Sequence, residues 1–340
     1  MLFFSEMNYR GNHAGTKARN DAEAILRQYG ASPINSQRLE LQVGKDMGIQ
    51  SNIVNRLGFI RYFCDILFVR NKTVVIQYPM LAFDIQFDYV RKLAKHNRVV
   101  FLVHDIQSLR REGHVGLEQE IQMLNIAWGL IVHNRFMAAK LEQLGVRTKR
   151  VYLLNCFDYL YHEKELSDTS MDGVAFAGNL EKSVFLSKMC NENGNLPFHF
   201  FGPSWSADYA NSVYYGNFSP DEIPGKLCGK YGLIWDGNTT QGCSGAVGEY
   251  TRINNPHKMS LYIAAGMPVI AWSDAAIAEF IQRNHIGIVL DRIDCLLDAL
   301  AEISDAQYQE MKKNVFRIRE RLVTGDYLRT VLKAIEEDDK

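Results

Sequence analysis

The chain has 340 residues, 47% of them hydrophobic and 23% charged, an ordinary globular composition with enough apolar mass for two domains of roughly 150 to 170 residues. Its longest apolar runs, 99–103 and 130–132, fall far short of the ~20 residues that span a bilayer. The net charge of −1 hides an imbalance: residues 1–155 hold 21 Lys+Arg against 13 Asp+Glu and the remainder 17 against 26, with no nucleic-acid-binding motif in the basic half.

In the first half, apolar β-branched runs alternate with helical patterns. Strands are expected at 2–5, 74–77, 99–104, 130–133 and 151–154, and helices at 16–29, 52–68, 85–95, 117–127 and 136–144. The pattern lapses in the polar, acidic segment 158–172, which marks a domain boundary. A second set follows, with strands at 174–177, 198–201, 232–235, 268–272 and 287–290. Its helices fall at 182–189, from 254–256 to 264–266, and at 275–283, 294–302 and 306–321, with a last one at 327–336. Such alternation predicts doubly wound parallel sheets in two α/β halves separated by a cleft. The halves span 1–158 and 170–322, and the segment 323–340 is expected to pack back on the first.

The chemistry concentrates in 231–272. A glycine-rich loop holding Asp236, Cys243 and Ser244 leads into Asn254-Asn255-Pro256-His257-Lys258. There Asn is a favoured N-cap and Pro a favoured first helical residue. A helix start at the carboxyl edge of a parallel sheet is an anion site, and with His257 and Lys258 in its first turn the anion expected is a diphosphate. The plainer reading is an ordinary strand-to-helix connection.

Other strand ends repeat the theme. Gly15, Thr16 and Lys17 close a loop from Gly11 that is neither G-x-G-x-x-G nor a Walker loop. His104 and Asp105 emerge at the end of strand 99–104 and suit proton transfer if the strand has ended there. Gly178 and Asn179 turn out of strand 174–177 with Lys182 nearby, and Phe201-Gly202 offers an aromatic face and a backbone edge to a nucleobase. No metal is expected, since D-x-D and H-E-x-x-H are both absent, and no G-x-S-x-G elbow supplies a hydrolase nucleophile. Six cysteines without C-x-x-C spacing read as free thiols. With no signal peptide at Met1 to Glu6, a cytoplasmic location is expected. The Arg91, Lys92, Lys95, Arg98 and Arg110, Arg111 clusters suit a solvated face or peripheral contact with the inner face of the cell membrane.

The motifs W-D-G, C-S-G-A, N-N-P-H-K-x-S-L-Y and P-V-x-x-W, with G-N-L at Gly178, H-D-I at His104 and A-G-x-K-A-R from Ala14, resemble those of bacterial β-1,6-galactofuranosyltransferases. More distantly the chain resembles the glucosyltransferases that extend glycans on serine-rich adhesins. The resemblance implies the GT-B fold, two Rossmann-like domains with parallel sheets facing across a cleft. It implies a UDP-sugar donor held by the second domain, a glycan acceptor on a lipid, and no required cofactor or metal.

Carried over, Asn255, Pro256, His257, Lys258 and Ser260 would hold the diphosphate with Lys182, and Thr16 would reach it from the first domain. Asp105 and His104 would face the acceptor. The E-x7-E pair of many retaining members is missing, its positions being Ile253 and Leu261, so inversion from UDP-galactofuranose is expected. A UDP-glucose or UDP-galactopyranose donor and a non-catalytic glycan-binding subunit are the alternatives, and homo-oligomerisation is left open.

Overall fold

Two parallel sheets organise the chain in a computed structural model that describes residues 1–5, 14–34, 64, 66–80, 86–110, 116–163, 166–205 and 209–338. The first sheet contains β1 (Leu2–Phe3), β2 (Ser32–Pro33), β3 (Thr73–Tyr78), β4 (Arg98–Val103), β5 (Gly129–Val132) and β6 (Arg150–Leu153), in the order β2-β1-β3-β4-β5-β6. The second contains β7 (Val174–Ala177), β8 (Phe198–Phe201), β9 (Ser212–Gly216), β10 (Tyr231–Ile234), β11 (Val269–Trp272) and β12 (Gly287–Leu290), in the order β12-β11-β10-β7-β8-β9. The helix expected at 52–68 lies largely outside the described residues, as do Gly11 to His13 and Arg111.

Apolar strands of this kind form because both faces of a parallel sheet are covered. Val75, Val100, Leu102 and Ile131 face one way, onto the helix Ala14–Gln28 and the terminal helix Asp326–Glu337. Their neighbours Val74, Ile76, Val99, Phe101 and Val103 face the other way, onto residues of the helices Gln86–Ala94, Leu117–Leu124 and Arg135–Gln143. The last helix is thus part of the first core, with Leu328, Leu332 and Ile335 buried and Asp158 accepting from the amides of Tyr327 (3.1 Å) and Leu328 (2.8 Å) at its start.

The connection between the halves begins as a packed wedge. Cys156, Phe157, Tyr159, Leu160 and Tyr161 are buried in the apolar cluster that continues from one face of the first sheet into the second half, while the other face of the first sheet packs in a cluster of its own. Two local differences from the sequence reading bear on the site. The loop after β10 contains a helix of its own, Gly245–Tyr250, and the following helix runs His257–Ala264 with Pro256 as its N-cap, one residue later than expected. Six residues full of glycine give too little periodicity to announce the first of these.

That second helix packs unusually close to β10. Tyr262 lies fully buried with its hydroxyl accepting from the Ala177 amide (2.8 Å) and donating to Leu233 O (3.2 Å). A Cβ on Gly232 would stand 2.3 Å from the Tyr262 ring, so only glycine allows this approach.

Candidate active site

At the carboxyl edge of the first sheet β3 and β4 end in register, Tyr78 opposite Val103. The strand stops at Val103, so His104 and Asp105 both lie beyond it. The His104 amide donates to Tyr78 O (2.7 Å), and its imidazole Nε2 lies 2.7 Å from Gln77 Oε1. The ring stacks on Phe157, with centroids 5.6 Å apart and planes 9° from parallel.

Protein packs densely around this ring while part of it stays open to the cleft. Burial, then the charge of Arg19, then His133 and His257 hold its pKa well below the usual imidazole value, so it is neutral at pH 7. Asp105 pairs instead with Arg110 (2.9 Å).

The loop that carries both residues is clamped by a carboxylate the sequence did not single out. Glu120, almost fully buried, accepts from the amides of Gln107 (2.9 Å) and Ser108 (2.8 Å) and from the Tyr78 hydroxyl (2.9 Å). From the other half Tyr250 reaches over to accept from the Ile106 amide (2.8 Å). Asp105 is therefore held from both sides of the cleft.

Across the cleft four of the expected positions converge. Lys258 Nζ donates to Trp235 O (3.3 Å) and Asp236 (3.4 Å), and sits 4.5 Å from the centre of the Phe176 ring. Its stem runs beneath Gly178, where a Cβ would come within 3.1 Å of Lys258 Cε. Gly202, at φ 135°, abuts Gly178 so closely that a Cβ there would lie 1.9 Å from Gly178 O. Asn179 closes the turn by accepting from the Lys182 amide (3.0 Å), leaving the Lys182 side chain exposed. Ser244 caps the helix Gly245–Tyr250 by position without a side-chain hydrogen bond.

His257 opens the helix beside these groups. Both of its ring nitrogens are buried, and among the described residues its polar neighbour is the Asp158 backbone. Burial first and Lys17 second push its pKa down to about 3.

Other expected residues are turned to different work. Asn255, 4% exposed, spends its side chain between the halves: Nδ2 donates to His133 O (3.0 Å) and Asn155 O (2.8 Å), and Oδ1 accepts from Asn134 (2.7 Å). Its amide donates to His133 Nδ1 (2.9 Å). Ser260 is buried with its hydroxyl on Phe157 O (2.7 Å). Phe201 is fully buried and stacked on Tyr215 (4.9 Å, 11°), so its face is covered.

The first-domain helix begins at Ala14, placing Gly15 in its exposed first turn and Thr16 in the buried layer beneath. Lys17 binds Asp21 (2.9 Å), Leu160 O (2.8 Å) and, from the second half, Asp221 (2.8 Å). Among the described residues no group of three or more His, Cys, Asp or Glu is placed to hold a metal ion. No helix of the described residues is long and apolar enough to cross a membrane.

Comparison with known proteins now adds to this geometry. The profile "Glucosyltransferase 3-like, N-terminal domain" matches residues 2–156 and its C-terminal counterpart matches 174–335. The chain is 31% identical to beta-1,6-galactofuranosyltransferase WbbI of Escherichia coli (strain K12), over 100% of this chain and 99% of that protein. The chain belongs to the glucosyltransferase 3-like family.

Glucosyltransferase 3 of Streptococcus gordonii is a further relative, 24% identical over 95% of this chain and 94% of its own. Among solved structures, sucrose-phosphate synthase of Thermosynechococcus elongatus superposes with a TM-score of 0.65 at 11% identity, covering 99% of this chain and 98% of that one. The two sheets facing across a cleft are the GT-B fold. As a member of its family this protein is a UDP-sugar-dependent hexosyltransferase.

Proposed function

We propose that this enzyme transfers galactofuranose from UDP-galactofuranose, with inversion, to a hydroxyl of a lipid-carried glycan in cell-surface polysaccharide synthesis. The single observation that carries the reading is the end-to-end 31% identity with a beta-1,6-galactofuranosyltransferase.

In this reading the diphosphate meets the helix start at His257, ahead of the Met259 amide that donates to the N-cap carbonyl of Pro256 (3.0 Å). Lys258 neutralises it, leaving two long hydrogen bonds, of 3.3 and 3.4 Å, that cost little to exchange. Lys182 swings in from the turn at Asn179, while Gly178 and Gly202 let the nucleotide approach bare backbone. Asp236 and Ser244 line the donor loop, and Gly15, exposed in the first turn of its helix, faces the phosphates from the opposite domain with Thr16 packed beneath it. Asn255, Pro256 and Ser260 serve by setting the helix, and Phe201 by supporting Gly202.

In the reaction the glycan oxygen attacks the anomeric carbon, the bond from that carbon to the diphosphate oxygen breaks, and the hydroxyl proton passes to a base. His104, neutral and partly open, takes that role ahead of Asp105, whose carboxylate is engaged by Arg110. Leu261, buried at one missing glutamate position, offers the ribose no carboxylate. Exposed Arg91, Lys92 and Lys95 would draw the enzyme to an anionic membrane, which flotation with anionic vesicles tests.

The decisive experiment follows UDP release from a panel of UDP-hexoses with a glycan acceptor. Preference for UDP-galactofuranose supports the reading, preference for UDP-glucose moves it to the other branch of the family, and no release with any donor overturns it. Lys258→Ala should weaken UDP binding by about 10- to 100-fold, the value of a charged hydrogen-bonded contact of ~1.5–3 kcal/mol.

A further inference from the structure

Gln77 stands out as a polar side chain in an otherwise apolar strand end, 2% exposed, and the reaction outlined above makes no use of it. Its amide nitrogen donates to Arg19 O (3.3 Å), which turns its oxygen toward His104 Nε2 at 2.7 Å. A carbonyl oxygen only accepts, so His104 must donate through Nε2–H. The other ring nitrogen, Nδ1, has no hydrogen-bond partner among the described residues and is not sealed from solvent, so it reaches the surface. Phe157 stacked on one side and the His104 amide tied to Tyr78 O fix the plane in which that nitrogen points.

We propose that Gln77 is a positioning residue that holds His104 with Nε2 protonated and the Nδ1 lone pair turned to the cleft. The group His104 engages must then bring a hydrogen, which a sugar hydroxyl does and a phosphoryl oxygen does not. The identity of the hydroxyl rests on the transfer reaction proposed above; the tautomer and its dependence on Gln77 do not. When His104 takes the hydroxyl proton, the proton goes to Nδ1 and the resulting imidazolium keeps its Nε2–H on Gln77.

Two variants separate this from a purely structural role. Gln77→Glu keeps an acceptor at His104 but adds a negative charge that favours the imidazolium, so Nδ1 becomes protonated and its lone pair is lost. The acidic limb of the kcat pH profile should move upward by about one unit, with activity about tenfold lower below it and recovered at higher pH. Gln77→Met, similar in volume, removes the acceptor; kcat should fall while UDP affinity is retained.

The direct readout is the imidazole 15N spectrum of the full-length protein at neutral pH, with His104 assigned by comparison with His104→Asn. One protonated Nε2 and one bare Nδ1 are expected in the parent, and a mixture of tautomers in Gln77→Met. A parent spectrum with the proton on Nδ1, or a Gln77→Met spectrum and pH profile identical to the parent, overturns the proposal. If the enzyme transfers no sugar, the spectrum still decides the tautomer, and if a variant fails to fold, the parent spectrum alone does.

Discussion

Replacing Asn255 distinguishes a ligand of the diphosphate from a clamp between domains. The structure gives its side chain three hydrogen bonds, to His133 O, Asn155 O and from Asn134, at 3.0, 2.8 and 2.7 Å, in a site with 4% exposure. Alanine removes all three; His133 O still accepts from the Asn155 amide (2.8 Å) and Asn134 Nδ2 still donates to Ile253 O (3.0 Å), while Asn155 O loses the donor that Asn255 supplied. At about 1 kcal/mol for each bond, the loss is about 3 kcal/mol. For a chain of this size that lowers Tm by roughly 4 °C.

Aspartate is the sharper variant. It matches asparagine in shape but sets a carboxylate oxygen against the two carbonyls that Nδ2 now serves, so Asn255→Asp should fall further than Asn255→Ala. Differential scanning calorimetry measures the stability, and UDP titration of the folded variant at low temperature measures binding. A clamp predicts a large Tm loss with UDP affinity within a few-fold of the parent. Unchanged Tm with a tenfold or greater loss of UDP affinity would refute the reasoning and return Asn255 to the phosphates.

Glu120→Gln puts an amide nitrogen against one of the two backbone amides that Glu120 accepts from, and should cost about 1–3 kcal/mol and lower kcat by loosening the Asp105 loop, with UDP affinity retained. Leu332→Ala, in the terminal helix, opens a cavity in the first core and should cost about 2–5 kcal/mol by denaturant unfolding; a surface-like cost below about 0.5 kcal/mol would detach that helix from the domain. Asp158 titrates in a direction that pH can test. Burial outweighs the two amides at the terminal helix start and pushes its carboxyl from 3.8 up to about 7. The folded state then keeps a proton the unfolded state releases, so this contribution is full below pH about 3.8 and lost as pH rises through about 7. The Tm deficit of Asp158→Asn relative to the parent should therefore shrink between those values, and a deficit that grows with pH would mean that the helix start, not burial, governs Asp158.

Much of this arrangement is local and so was written in the sequence. Strands, their ends, the glycines at 178 and 202 and the helix start before Lys258 follow from apolar runs and turn chemistry within a dozen residues. Gln77 also left a trace, as the one amide in the strand TVVIQY. What that trace meant was not legible, because periodicity reports that a side chain is buried and not which partner buries it.

The sequence alone determined two alternating α/β halves and placed the candidate chemistry at their facing edges. Tertiary structure decided which polar groups were left for a ligand. Asn255 and Ser260 sit one turn or less from Lys258, yet His133, Asn155 and Phe157, 100 or more residues earlier, claim their hydrogen bonds. Buried polar groups must find partners wherever the fold supplies them, and those partners are set by how the two sheets dock. Lys258, by contrast, keeps two long hydrogen bonds, of 3.3 and 3.4 Å, at the carboxyl edge of the second sheet.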